Sequence, residues 1–393
     1  MQKIYLDHAA TTRVDERVIQ KMIPLMSEVY GNANSQHFFG RDAQKAVDEA
    51  RDLIAKLIGA MPSEIYFTSG GTEADNWAIK GIAEVSKAKG KHIITTKIEH
   101  PAVIETCKQL EKQGFEVTYV GVDKAGIVDL VELENALRDD TVLIACMYAN
   151  NEIGSIQPIE QIVQIGKKKG IPVFTDAVQA VPCIKINVKE LGVDLMSFSS
   201  HKFGGPKGVG VLYVRNGLKM GKLVAGGHQE RTKRGGTTNV PGVVGMAEAL
   251  KLTYETLEKD VEYVKNLRDT FINRVESEIP FSYLNGHREK RVAGNADFSF
   301  DFIEGESILF SLDMEGIAVS SGSACSSGSL EPSHVLLAIG VDVARAHGTI
   351  RFSFGKDNTM QEVNHVVDVL KQTVERLRQM SPLYSIAKKD SKV

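Results

Sequence analysis

Short apolar runs recur along the chain, separated by longer stretches in which apolar positions return every three or four residues. The short runs, at residues 64–68, 92–98, 116–120, 142–148, 173–175, 195–199 and 209–214, read as strands. The longer stretches, at 72–88, 101–113, 130–137 and 158–169, read as amphipathic helices. Strand and helix alternate, which predicts an α/β architecture: a mostly parallel, seven-stranded sheet with helices on both faces. A long helical pattern over 243–273 follows. Beyond it, strands at 295–302 and 349–354 and helices at 306–315 and 360–379 make a smaller α+β unit. Residues 1–7 read as a further strand that joins this unit. The chain thus divides into a large domain at 14–260, a small domain built from 1–13 and 261–380, and a polar, flexible tail at 381–393.

Composition changes this picture little. Among 393 residues, 42% are hydrophobic and 25% charged, with a formal net charge of -3, an ordinary globular profile. No basic stripe interleaved with aromatics is present, so no nucleic-acid binding is expected. No apolar run approaches membrane-spanning length and no signal-peptide pattern opens the chain, so a cytoplasmic location away from membranes is expected. The four cysteines, Cys107, Cys146, Cys183 and Cys325, are far apart and form no CxxC pair, against a zinc site or a disulfide framework. The first three lie in or beside apolar segments and read as small buried hydrophobes. Cys325 stands instead in Ser320-Ser321-Gly322-Ser323-Ala324-Cys325-Ser326-Ser327, a run too small-sided to pack a core. An exposed thiol there is a candidate nucleophile or redox group.

Polar residues gather at the ends of the predicted strands, where ligands sit in open parallel sheets. His100 follows the second run; Asn150 and Asn151 follow the fourth; Asp176 and Gln179 follow the fifth; Ser199, His201 and Lys202 follow the sixth. A lysine amine can hold pyridoxal phosphate, and an aspartate can pair the pyridinium nitrogen of the same ring. Lys202 and Asp176 are the candidates for those tasks. Asp176 and Asn151 could instead be plain helix caps. Ser69-Gly70-Gly71-Thr72-Glu73 joins a strand to a helix and suits a single phosphate, though a capped turn would look the same. Arg351 lies between apolar residues of a strand. It must be paired or face a ligand, and a carboxylate fits its two-pronged donor geometry. A structural ion pair is the other reading.

Together these residues resemble the cysteine desulfurases of the NifS/IscS family, within the fold-type I pyridoxal-phosphate enzymes. The resemblance runs from Tyr5-Leu6-Asp7-His8-Ala9-Ala10-Thr11-Thr12 to about Leu377. Its most specific pieces are Ser69 to Glu73, Glu99-His100-Pro101, Asn150-Asn151-Glu152, Thr175-Asp176-Ala177-Val178-Gln179, Ser199 to Lys202, Arg234-Gly235-Gly236-Thr237 and Ser321 to Ser327. It implies pyridoxal 5'-phosphate held by Lys202, with His100 stacked on the ring and active in proton transfer. Asp176 would pair the ring nitrogen and Gln179 the phenolic oxygen. Gly71, Thr72, Ser199 and His201 would hold the phosphate, with Thr237 reaching the phosphate of a second subunit in a homodimer. Asn151 and Arg351 would bind the carboxylate of L-cysteine. Cys325 would attack the substrate sulfur, leave alanine, and carry a persulfide to an acceptor such as an iron–sulfur scaffold. No resident metal is implied, although Cys325 could ligate an iron–sulfur cluster transiently. Selenocysteine lyase and aminotransferase chemistry are the neighbouring alternatives, and the Cys325 thiol argues against the second. The departures are small: His8 in place of the family's frequent asparagine, Gly31-Asn32-Ala33-Asn34-Ser35 in place of Gly-Asn-Pro-Ser-Ser, and Gly235 where serine is common.

Overall fold

The computed structural model describes residues 3–321 and 331–384. Its strands, in chain order, are β1 (Ile4–Tyr5), β2 (Ile65–Thr68), β3 (His92–Thr96), β4 (Glu116–Val120), β5 (Thr141–Ala145), β6 (Val173–Asp176), β7 (Leu195–Ser199) and β8 (Gly210–Val214). Then follow β9 (Ser282–Asn285), β10 (Asn295–Phe300), β11 (Ile317–Ala318), β12 (Ser320–Ser321) and β13 (Thr349–Ser353).

Seven strands form one sheet in the order β2-β8-β7-β6-β5-β3-β4. β3 to β7 run parallel, β8 runs antiparallel to both its neighbours, and β2 therefore points the same way as the parallel set. Successive side chains enter opposite cores. Ile94, Ile144, Val173 and Met196 face the Phe38–Leu57 helix side, while Ile93, Leu143, Phe174 and Leu195 face the Gly71–Ser86 helix side. Burial on both faces is why these strands read as unbroken apolar runs.

The second unit holds a four-stranded antiparallel sheet, β12-β13-β10-β9, and the parallel pair β1-β11. Its core is rich in phenylalanine, with Phe271, Phe298, Phe300 and Phe352 almost fully buried. One helix, Val240–Glu278, belongs to both cores: Val243, Met246 and Leu250 pack on the large sheet, and Leu267, Phe271 and Val275 on the small one.

Three boundaries differ from the expectation for physical reasons. The long helix starts at Val240 rather than 243, because Asn239 caps it and Pro241 sits in the first turn, where no N–H is missed. β3 stops at Thr96, short of residue 98, and β5 at Ala145, short of 148. Past those points side chains take over the backbone groups. Both Glu99 carboxylate oxygens accept Met147 N–H, and Asn150 Oδ1 accepts Glu152 N–H at 2.8 Å and Ile153 N–H at 2.9 Å. Cys107 and Cys146 are buried, as expected of small hydrophobes, but Cys183 is only half-buried, at the seam between the cores.

Candidate active site

The parallel strands deliver their polar side chains to one place. β6 ends on Asp176, whose Oδ1 accepts Val178 N–H at 2.9 Å. That bond closes a turn and caps no helix. Among the described residues Asp176 forms no ion pair. Burial raises its pKa, while the His100 ring and the Lys202 ammonium nearby pull it back down. β7 ends on buried Ser199, and a single 3-10 turn, Ser200–Lys202, follows. His100 precedes the Pro101–Glu111 helix and caps it, its Nδ1 accepting Ala102 N–H at 3.1 Å. Burial lowers its pKa. In its neutral form the ring, with Nδ1 accepting, carries its proton on Nε2.

Of the phosphate candidates, Gly71 and Ser199 lie side by side. The Gly71–Ser86 helix starts without any side-chain cap, so its first N–H groups face outward beside Ser199. A Cβ at Gly71 would stand 2.8 Å from Val178, so this close approach requires glycine. Thr72 is exposed on the first turn. Half-buried His201 has its pKa lowered to about 4 by burial, Lys202 and Lys207, and Nδ1 lies 3.1 Å from Thr11 Oγ1. Thr237, which the resemblance assigns to the phosphate of a second subunit, stands apart from these in its own chain. It is exposed, and its own-chain neighbours are Ser69, Gly208 and Arg234 around a separate cavity of about 120 Å3. Arg234 Nε and Nη2 reach Glu73 at 2.9 and 3.2 Å, which fixes this stretch to the phosphate-side helix.

The N-terminal segment reaches into the same place, a contribution the sequence reading did not assign. Lys202 Nζ donates to the carbonyls of Ala9 at 2.5 Å and Ala10 at 2.8 Å, and Gln179 Nε2 donates to Ala9 at 2.9 Å. A cavity of about 420 Å3 opens beside them, lined by His8, Gln179, Cys183, Lys202 and Phe354.

Arg351 sits on β13, 3% exposed. Nη1 donates to the Asn151 carbonyl at 2.8 Å and Nη2 to Asp7 Oδ1 at 3.0 Å. It has the ion-pair partner of the structural reading, and its Nε is buried with no hydrogen-bond partner. Asn151 meets it through its backbone; the turn there is built by Asn150, whose Nδ2 donates to Ile98 O at 2.8 Å. Neighbouring Glu152 is buried, accepts Ser333 Oγ–H at 2.5 Å, and has its pKa pushed up to about 8 by burial. Asp7 pairs with Arg351, Glu152 follows Asn151, and Glu99 precedes His100. Their signal was presence in the quoted motifs without an assigned task. Cys325 lies outside the described residues.

The donor set fits pyridoxal phosphate: an uncapped helix start with Ser199 for the phosphate, an anionic partner in Asp176 for the ring nitrogen, and an amine in Lys202. The aminotransferase class-V family model matches residues 4–366. A cysteine desulfurase IscS from Dictyoglomus turgidum is 54% identical over 381 residues, 97% of either chain. One from Methanosarcina thermophila is 51% identical over 380 residues, 97% of this chain and 94% of its own. Among solved structures, a NifS-like protein superimposes with a TM-score of 0.91 at 41% identity, over 96% of this chain and all of its own. The structure described as SspA in complex with cysteine gives 0.80 at 35% identity, over 91% of this chain and all of its own. The chain therefore belongs to the class-V aminotransferase family, among its pyridoxal-phosphate-dependent cysteine desulfurases of the NifS/IscS type.

Proposed function

We propose that this enzyme converts L-cysteine to L-alanine and passes the sulfur, held as a persulfide on Cys325, to acceptors that include iron–sulfur assembly scaffolds. The observation that carries the reading is the meeting of half-buried Lys202 and His100 with buried Asp176, together with a buried Arg351 whose Nε–H has no hydrogen-bond partner. When bound, the cofactor supplies an electron sink for the bonds broken at the substrate. The chain's own residues do the rest. Asp176 stays ionised opposite a protonated ring nitrogen. His100 in its neutral form gives its Nε2 proton and takes one back at the same atom. Lys202 holds the cofactor and, once released, shuttles protons at its amine. Arg351 binds the substrate carboxylate with Nε, and Asn151 lines that end.

In the same reading Cys325 Sγ attacks the substrate sulfur. The carbon–sulfur bond breaks, its electron pair stays on the carbon side, and a proton completes alanine. Thr237, exposed on a glycine-rich stretch, completes the phosphate site of a second copy, so the active species is a homodimer. The units 14–260 and 1–13 with 261–380 act as the cofactor domain and the domain that brings Cys325. No helix among the described residues is long and apolar enough to cross a membrane, in keeping with work in the cytoplasm.

The test is Cys325→Ser. The variant should keep cofactor absorbance and bind cysteine, yet release almost no sulfide, because a hydroxyl is a far weaker nucleophile and cannot hold sulfur as a persulfide. Full sulfide release would pass the role to Cys107, Cys146 or Cys183. Those are poor candidates, since burial raises the pKa of all three, Cys107 and Cys183 to about 12.

A further inference from the structure

One buried carboxyl group has no task in this chemistry. Asp75 lies 1% exposed on the Gly71–Ser86 helix, one turn beyond Thr72. Ser197 Oγ, itself fully buried, donates to Asp75 Oδ1 at 2.5 Å. Ser197 is the register partner of Asp176 across β6 and β7, and its carbonyl accepts Ala177 N–H at 2.9 Å. A single side-chain contact therefore ties the helix whose start would hold the phosphate to the strand end that faces the ring nitrogen. Those are the two ends of the cofactor.

The surroundings also fix the charge of Asp75. Among the described residues no lysine, arginine or histidine pairs with it. The charged groups that act on it are two more buried carboxyls, Asp176 on β6 and Glu99 beyond β3. A lone carboxylate at this depth, facing two others, keeps its proton. Burial and Asp176 hold its pKa well above the ordinary value.

We propose that Asp75 is a positioning residue that works as a neutral carboxylic acid: through Ser197 it sets the spacing between the phosphate-holding helix and Asp176, and it adds no second negative charge beside the one Asp176 presents. This rests on the reading of Asp176 as the ring-nitrogen partner.

The test follows the visible absorption of lysine-bound cofactor in the holoenzyme against pH, for wild type, Asp75→Asn, Asp75→Ala and Ser197→Ala. Asparagine offers an uncharged group of the same shape, so band position and apparent pKa should match wild type. Asp75→Ala and Ser197→Ala break the tie and should retain cofactor about tenfold less tightly on dialysis, while Asp75→Asn retains it. A fall in apparent pKa of about one unit or more in Asp75→Asn would mean that Asp75 carries a charge, and would overturn the proposal. Equal retention in all four proteins would overturn the positioning role. If instead Lys202 or Asp176 is misassigned, the lysine-bound band survives in Lys202→Ala, or its apparent pKa is unchanged in Asp176→Asn.

A second readout needs no cofactor. The folded chain must keep the Asp75 proton, so apoprotein stability falls as pH rises from the ordinary carboxyl range through the raised one. Asp75→Asn should flatten that fall in thermal melts. A melting profile as steep as wild type would count against a neutral Asp75, and Ser197→Ala carries the retention comparison should Asp75→Ala not fold.

Discussion

The two halves of the site are built differently. On the large sheet, Asp176, Ser199 and Lys202 arrive at successive ends of parallel strands, and His100 at another. Strand order alone gathers them. On the small sheet Arg351 emerges from mid-strand, and its partners come from far away in the chain: Asp7 is 344 residues distant and Asn151 is 200. The first arrangement is a property of the sheet and the second of the docking of two units. The first half should therefore govern whether cofactor is held at all, and the second how tightly substrate is held.

The largest effect expected on this contrast is Lys202→Ala, which should lose the visible absorbance of lysine-bound cofactor and essentially all turnover. Lys207→Ala should keep both, since Lys207 is exposed while Lys202 faces Asp176. Spectra of the two purified variants decide the matter, and the reverse outcome would move the cofactor to Lys207.

Arg351→Lys comes next and should leave cofactor content normal. An ammonium cannot keep the contacts to Asn151 and Asp7 and also replace Nε–H, so cysteine binding should weaken by about 1.5–3 kcal/mol, roughly ten- to a hundredfold. Asp7→Asn, which keeps the shape but removes the charge facing Nη2, should raise KM less than Arg351→Lys does, with little change in kcat. A KM unchanged in both variants would detach this half of the site from substrate binding.

What the sequence made legible follows the same division. Alternation of apolar runs and amphipathic stretches was enough for the seven-stranded sheet, because the inner strands β3, β5, β6, β7 and β8 are buried on both faces and read as apolar runs. The strand ends then named Asp176, Ser199 and Lys202. The partners of Arg351 were not legible, because no local pattern encodes a contact between residues 7 and 351. The overextended strands 92–98 and 142–148 share that cause. Apolar character continues past Thr96 and Ala145, but the backbone there is held by Glu99 and Asn150, a tertiary fact. Asp75 was hidden differently: a carboxyl one turn into an amphipathic helix reads as a solvated surface group until Ser197 is seen beneath it.

The effect of least consequence for turnover concerns proton uptake around Arg351. Glu152 is fully buried, and its pKa is pushed up to about 8, chiefly by burial; Asp297 nearby is raised to about 7 by the same cause. In the unfolded chain both carboxyls titrate near their ordinary values, so across the interval from about pH 4.5 to 8 the folded protein binds more protons. Stability must then fall as pH rises through that interval, by up to about 1.4 kcal/mol per pH unit for each proton held. Glu152→Gln keeps an oxygen for Ser333 Oγ–H but removes one such proton. Its stability should decline less steeply over that interval than wild type, while the contributions of Asp297, Glu99 and Asp75 remain. Chemical denaturation of apoprotein at several pH values measures the two slopes. Identical slopes would mean that Glu152 is already ionised in the folded chain, balanced by Arg351, and that the substrate-binding half stores charge much as the cofactor half does in Asp176.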